Sequence, residues 1–367
     1  MPLSRPLAGL RVLDLSIFLP GPFSTQILGD LGADVLKIEP PTGDPGRDIG
    51  GDLFDAVNRS KRSQRLDLKD AEDRARCLEL AVEADVFIEG FRPGVADRLG
   101  VGYDAIRAVN PRIIYCSISG FGQSGPQRDR PGHDLLYLAG SGALSIRGHW
   151  GEAPRRSGVP VADLAAASYA TIAILAALRA RDATGDGTRL DLAIQDAALA
   201  FTSVRGGSDL THDPDDESHL YPANELFETS DGELVALAAV EDHFVDRLRT
   251  ALADVEPALL DERFNATEGK RQHADDLHDL VAGAVGRLSA REVIARLEEH
   301  DVPGGRVQSL GKAADLAHER GLVKELDGQR HVVFPVLADG EPLGRSSSVA
   351  PRTTATDLAW HPREGPG

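Results

Sequence analysis

Two residues in this sequence have the chemistry and the setting to form an acid/base pair, His133 and Asp163. An imidazole titrates near neutrality, and a histidine and a carboxylate, each held where a loop meets a helix, can work as an acid/base pair. His133 closes a loop, Ser119 to Gly132, that carries four Gly and two Pro; Asp163 stands at the mouth of the apolar segment Leu164 to Leu178. Each also has a plainer reading. An Asp before a helical run serves as an N-cap, and both Asp134 and Asp163 fit that role. A lone histidine is more often a hydrogen-bonded structural residue than a catalyst, and spacing alone does not choose between the two.

The elements that must position this pair follow from pattern. Ile113 to Ile118 is rich in β-branched residues and reads as a strand, and Leu164 to Leu178, rich in Ala and Leu, as a buried helix. The amino-terminal stretch reads as strand Arg11 to Leu15, a Gly/Pro loop, helix Pro22 to Leu31 and strand Asp34 to Ile38. That is a βαβ unit with a loop at the carboxyl end of its first strand, where open parallel sheets bind ligands. No G-x-G-x-x-G is present, so a dinucleotide site is not expected. Arg59, Lys61 and Arg62 then crowd a turn before a strand at Gln64 to Leu68. Such a cluster is either a solvated turn or a phosphate contact. Helix Glu72 to Ala84 and strand Val86 to Glu89 follow, and Arg92 lies in the turn just beyond, so two cationic loops are expected to converge on one side of the sheet.

Further on come an alternating strand, Thr188 to Ile194, a helix, Gln195 to Ser203, and a polar connection from Arg205 to Ser218 that includes Gly206-Gly207. The texture then changes: Asn224 to Thr229 and Leu234 to Ala239 flank the hairpin turn Ser230-Asp231-Gly232, and amphipathic helices follow near Asp242 to Ala253, Gln272 to Leu288 and Ala290 to His300. Strands return around Gly305 to Gln308 and His331 to Phe334. The organisation expected is a large domain over 1–204 with a return over 315–350, a linker at 205–220, a small α+β domain over 221–304, a return linker and C-terminal part over 305–350, and a mobile tail over 351–367.

With 41% apolar and 27% charged residues and a net charge of -18, the 367-residue chain reads as a globular protein of two or three domains. That charge argues against nucleic acid or an anionic membrane as a partner, though not against a local basic patch. Cys77 and Cys116 lack metal-ligand spacing and read as reduced thiols, and the longest apolar run is too short to span a bilayer, so a cytoplasmic location is expected.

In order along the chain, LAGLRVLDLS, GPFSTQILGDLGADVLKIEPP, NRSKRSQRLDL, DVFIEGFRPGV, SGFGQSGP, PGHDLLYLAGSGAL, GVPVADL, ATGDGTRLDLAIQD and TSDGELVALAAVEDHF resemble the family III CoA-transferases, the CaiB/BaiF group that includes formyl-CoA transferase and α-methylacyl-CoA racemase. The resemblance implies an α/β fold, a large domain with a Rossmann-like parallel sheet and a small α+β domain, in an interlocked homodimer. It implies coenzyme A, as an acyl-CoA substrate, with no metal and no nucleotide redox cofactor. Arg92, Arg59 and Arg62 would lie near its phosphates, and Lys37, Glu39 and Pro40 near its adenine end. Asp163 matches the family's catalytic aspartate, His133 the racemase histidine, and Glu241 a glutamate next to the racemase site. Two chemistries follow. In racemisation of 2-methylacyl-CoA thioesters, His133 and Asp163 serve as bases on opposite faces of the α-carbon. In the alternative, CoA transfer between carboxylic acids, Asp163 attacks the thioester and carries CoA as an aspartyl thioester. The matching site residues set racemisation first, with a catalytically silent acyl-CoA binder as a third reading.

Overall fold

Arg-Val-Leu-Asp-Leu at 11–15 and Val-Phe-Ile-Glu at 86–89 are buried along their whole length, as the central strands of a sheet covered on both faces must be. The computed structural model describes residues 5–49, 53–151, 153, 155–206, 210, 219–326, 328–344 and 359–363. Most of the linker expected at 205–220, including Gly207 and Asp213 to Glu217, lies outside the described residues, as do 345–358 and 364–367. Two compact units emerge, one from Met1–Ala143, Arg156–Val204 and Ala314–Gly367, the other from Leu144–Arg155 and Arg205–Ala313.

The first unit runs β1 (Arg11–Leu15), α1 (Pro20–Asp30), β2 (Asp34–Glu39), α2 (Leu53–Asn58), β3 (Lys61–Arg65), α3 (Ala71–Glu83), β4 (Val86–Glu89), α4 (Val95–Arg98), α5 (Tyr103–Val109), β5 (Ile114–Ser119), α6 (Asp134–Gly140), α7 (Val161–Thr184), β6 (Thr188–Ala193) and α8 (Ile194–Thr202). The six strands are parallel and ordered β3-β2-β1-β4-β5-β6. The chain leaves β1 towards β2 and β3 and returns on the other side as β4. A crevice therefore opens at the carboxyl ends of β1 and β4, the switch point where open α/β sheets bind ligands.

Helix α7 packs on α1, α8, β5 and β6 and buries Ala162, Ala165, Ala166, Ala167 and Ala170, whose small side chains let the backbone lie close to its neighbours. It ends at Gly185, whose φ of 85° is the left-handed cap that glycine adopts without a Cβ clash. The helix is longer than expected at both ends, and with 24 residues it is long and apolar enough to cross a bilayer. Its contacts with the sheet mark it instead as a core helix of this unit.

Two more expectations are corrected. The strand placed at Gln64 to Leu68 is Lys61–Arg65, so Lys61 and Arg62 belong to the strand and not to a turn. The cause is a buried partner: Lys61 Nζ lies 3.0 Å from Asp14 Oδ2 and donates to Pro22 O and Asn58 Oδ1. The chain's last part is also not uniformly a tail. Trp360 is buried against Leu80 and the α3 face, its Nε1 donates to Leu80 O at 3.0 Å, and Arg363 donates to Asp85, Gly9 O and Glu83 O.

In the second unit, β7 (Leu226–Glu228), β8 (Leu234–Leu237) and β9 (Gly304–Arg306) form an antiparallel sheet in the order β7-β8-β9. Helices α9 (Asp242–Leu252), α10 (Thr267–Gln272), α11 (Ala274–Val285) and α12 (Ala290–Glu299) supply the rest of this unit. Their core joins Phe227, Val235, Leu248, Leu277 and Val293. Residues 144–155, expected in the large domain, belong here: Glu225 accepts from the Trp150 backbone N–H at 2.8 Å and meets His149 Nδ1 at 2.9 Å. After α13 (Leu310–Glu319) the chain is back in the first unit, where β10 (Val323–Leu326) and β11 (Gln329–Val332) pair as a hairpin, two residues earlier than the strand expected at His331 to Phe334.

Candidate active site

A cavity of about 430 Å³ occupies the switch point of the first unit. The loop after β1 contributes Ser16, Ile17 and Phe18, the turn after β4 Gly90 to Pro93, and the loop after β5 Arg128 and Arg130 to His133. Tyr137 of α6, Asp163 of α7 and Ile194 of α8 also line it. His133 and Asp163, thirty residues apart in sequence, thus face one cavity, and Arg92 lines it with them.

Asp163 is not the N-cap of α7 but its third residue, because the helix starts at Val161 behind Pro160, which offers no side-chain cap. The cap comes from elsewhere: Asp134 Oδ1 accepts the backbone N–H of Ala162 at 2.9 Å and of Asp163 at 3.3 Å. Asp163's own carboxylate accepts no hydrogen bond among the described residues. Burial, and then the neighbouring charge of Asp134, push its pKa up to about 7. A carboxylate in that state is poorly solvated and open to the cavity.

The walls are held as firmly as the floor is left free. Tyr137 is buried, and burial followed by the charge of Asp163 pushes its hydroxyl up to about 12, with Arg92 opposing. A Cβ on Gly120 would lie 2.5 Å from the Tyr137 hydroxyl and one on Gly132 2.7 Å from its ring, so glycine at both positions admits that ring. Phe18, at a φ of 63° that non-glycine residues seldom adopt, meets the His133 ring edge-on with centroids 6.1 Å apart. The Phe18 conformation is supported by Asp44 Oδ1, which accepts its N–H at 3.3 Å. Lys37 Nζ donates to the Ser16 carbonyl at 2.6 Å and pairs with Asp44 at 2.9 Å. On the β4 side, Glu89 Oε2 accepts the Phe91 N–H at 2.8 Å; burial nonetheless pushes this glutamate up to about 7.

The other residues of the first unit singled out from sequence lie elsewhere. Lys37 is fully buried beneath the β1 loop. Glu39 is buried in a bidentate pair with Arg47, at 2.6 and 2.8 Å; although burial opposes it, Arg47, Ser63 and the Asp44 N–H hold its carboxylate down at about 2. Pro40 is exposed at the end of β2. Arg59 pairs with Asp30 at 2.7 Å. Arg62 makes a forked pair with Asp34 and donates to Ala359 O. Arg62 lines a different cavity, with Arg5, Arg11 and Arg363, and not the one that holds Arg92, so the two cationic loops do not converge. Glu241 belongs to the second unit, exposed at the start of α9. Missed from sequence were Phe18, Tyr137, Arg128 and Arg130. The last two stood in a recognised loop as RDR, and only the fold shows that the loop turns them towards the cavity. No group of three or more His, Cys, Asp or Glu able to hold a metal occurs among the described residues.

Known proteins place this cavity in context. The family model described as CoA-transferase family III matches residues 7–355. The chain is 37% identical to acetyl-CoA:oxalate CoA-transferase of Acetobacter aceti, over 85% of this chain and 83% of that protein. It is 34% identical to succinyl-CoA–D-citramalate CoA-transferase of Chloroflexus aurantiacus, over 83% of this chain and 78% of that one. Its structure matches that of a CaiB/BaiF family protein from Brucella suis with a TM-score of 0.85 at 30% identity, over 96% of this chain and 97% of the other. With a parallel sheet, a carboxylate at its switch point and matches of this extent, the chain belongs to CoA-transferase family III.

Proposed function

We propose that this enzyme moves coenzyme A between carboxylic acids, with Asp163 as the covalent carrier. The observation that carries the reading is the Asp163 carboxylate, desolvated, without a hydrogen-bond partner among the described residues, and facing the cavity. A carboxylate so placed is a stronger nucleophile than a solvated one, at the cost of being only partly ionised near neutrality.

The steps balance without any external proton. An Asp163 oxygen attacks the acyl-CoA carbonyl, the C–S bond breaks, and CoA leaves as thiolate from a mixed anhydride. The thiolate then attacks the Asp163 carbonyl carbon, expelling the first acid as carboxylate and leaving aspartyl-CoA. The acceptor carboxylate attacks that thioester, releases the thiolate and forms a second anhydride. The thiolate takes the new acyl group and frees Asp163. Arg92, on the turn after β4, is the cation proposed to attract CoA. Arg59, Arg62, Lys37 and Glu39 are assigned to the ion pairs described above.

Transfer is set ahead of racemisation on two grounds. The relatives compared above are named as CoA-transferases. The His133 ring has no hydrogen-bond partner among the described residues, whereas a histidine base is usually oriented through its second nitrogen. One observation favours the second reading: His133 and Asp163 line the same cavity. Glu241 belongs to that reading as a support for the histidine. The interlocked homodimer, with the linkers around Arg205 to Tyr221 and Val302 to Leu326 wrapping the partner, is part of the proposal on family grounds.

Hydroxylamine treatment during turnover, followed by mass spectrometry, should find Asp163 converted to its hydroxamate. CoA should exchange between free acids with no solvent deuterium at the α-carbon. Epimerisation and α-deuterium incorporation without any acceptor acid would overturn transfer in favour of racemisation.

A further inference from the structure

We propose that Arg130, with Arg128 beside it, forms a subsite for a second carboxylate on the acyl group, so that the enzyme prefers short dicarboxylic acids over monocarboxylic acids of equal length. This rests on the transfer reading of the cavity. Three arginines line it, Arg92, Arg128 and Arg130, against a single acidic residue, Asp163. In a chain of net charge -18, that local excess of cations is the reverse of the average. It suits a ligand with more than one anionic group.

The two arginines of the β5 loop also hold no buried carboxylate among the described residues. The Arg130 guanidinium donates to Gln127 Oε1 at 3.1 Å and lies 5.7 Å from the centroid of the Phe121 ring, with no carboxylate in ion-pair range among the described residues. Arg128 Nε is 3.5 Å from Asp129 Oδ1, but the two side chains are 44% and 81% exposed, and an exposed pair of that length is worth little. Elsewhere in this unit Arg47, Arg59 and Arg62 hold buried or half-buried carboxylates at 2.6 to 2.9 Å. A guanidinium left without such a partner has its fork of donors free for a ligand carboxylate.

Position separates this role from phosphate binding. Arg130 lies three residues before His133 on the same loop, and its ring partner Phe121 packs edge-on against Tyr137, centroids 5.4 Å apart. Tyr137 in turn feels the charge of Asp163. Arg130 is thus tied, through two ring contacts, to the wall beside the reacting carboxylate. In a diacid with two or three methylenes, the distal carboxylate stays near the thioester carbonyl, whereas the CoA diphosphate is a full pantetheine arm away.

The test measures exchange of isotope-labelled acid into its own thioester, succinate with succinyl-CoA and glutarate with glutaryl-CoA, against butyrate with butyryl-CoA and valerate with valeryl-CoA. The wild-type enzyme should favour each diacid by at least about tenfold in kcat/KM. Arg130→Gln should collapse that ratio by about ten- to a hundredfold, the loss expected for one charged hydrogen-bonding group, and Arg130→Lys should restore part of it. A wild-type enzyme without diacid preference, or an Arg130→Gln variant that loses equally on both kinds of acid, would overturn the subsite and leave transfer standing. Absence of exchange with every acid, together with α-proton exchange, would overturn transfer and the subsite together.

Discussion

The first unit uses cations in two opposite ways. Beneath β1 to β3, Lys37, Lys61 and Arg59 are buried, and each has a carboxylate partner within 3.0 Å. In the cavity, Arg92, Arg128 and Arg130 lie among glycines, aromatic rings and one aspartate. The first set shapes the unit. Burial pulls Lys61 down to about 7 although Asp14 opposes it, and Asp14, which burial would raise, is instead driven far below the carboxylate range by Lys61 and Lys37. The second set holds no buried carboxylate among the described residues, and in the proposed reading it is kept for substrate. A cluster of positive residues in sequence is therefore ambiguous until the carboxylates that meet it are known.

That contrast can be broken in stages. The largest effect belongs to Asp163→Asn, which should cost about 10⁴-fold or more in turnover. The same change should stabilise the protein above about pH 4. With a pKa raised from 3.8 to about 7, wild-type Asp163 keeps in the folded state a proton that the unfolded chain has lost. Wild-type stability therefore declines as pH rises through that window, and the variant lacks that decline. Denaturant titrations at pH 4 and pH 8 measure it, and a variant less stable than wild type at pH 8 would contradict the desolvated carboxylate.

Next is the structural set. Lys61→Met leaves Asp14 buried without its closest cation and should cost about 3–5 kcal/mol in denaturant unfolding. Arg92→Gln should change stability by no more than about 0.5 kcal/mol but raise KM for the acyl-CoA more than it lowers kcat. If the two variants exchanged these signatures, the division between the sets would fail. A smaller effect is expected from Asp134→Asn, whose amide oxygen can still accept the α7 N–H groups. The variant removes one of the two causes of the high Asp163 pKa, so the acid limb of the rate profile should move below neutrality. Smallest is the effect of salt: raising ionic strength should weaken the attraction of anionic acyl-CoA to the cavity while steadying a chain of net charge -18.

Much of the frame is legible from residue pattern alone. Arg11–Leu15 and Val86–Glu89 coincide with the strands read from sequence, because short segments rich in Val, Leu, Ile and Phe are read as strands even where a charged residue is buried among them. Residue type and setting single out His133 and Asp163 as a pair, and the fold brings them to one cavity. What escapes the pattern is whatever depends on a distant partner. The start of α7 could not be placed because Asp134, twenty-nine residues before Asp163, supplies its cap. Lys61 and Arg62 do not look like strand residues until Asp14 and Asp34 stand opposite them. Trp360 looks like part of a loose end until the surface that receives it, near Leu80 and Arg11, exists.

That last contact bears on how the protein is made. Trp360 belongs to the same apolar cluster as Leu13, Leu36 and Phe87, yet the second unit is encoded between them. At translation speeds of about 5–20 residues per second, the stretch from Val204 to Trp360 occupies a ribosome for on the order of ten seconds or more. Through that interval the α3 face of the sheet must stand without its final tryptophan, so this corner of the first unit is the last to close.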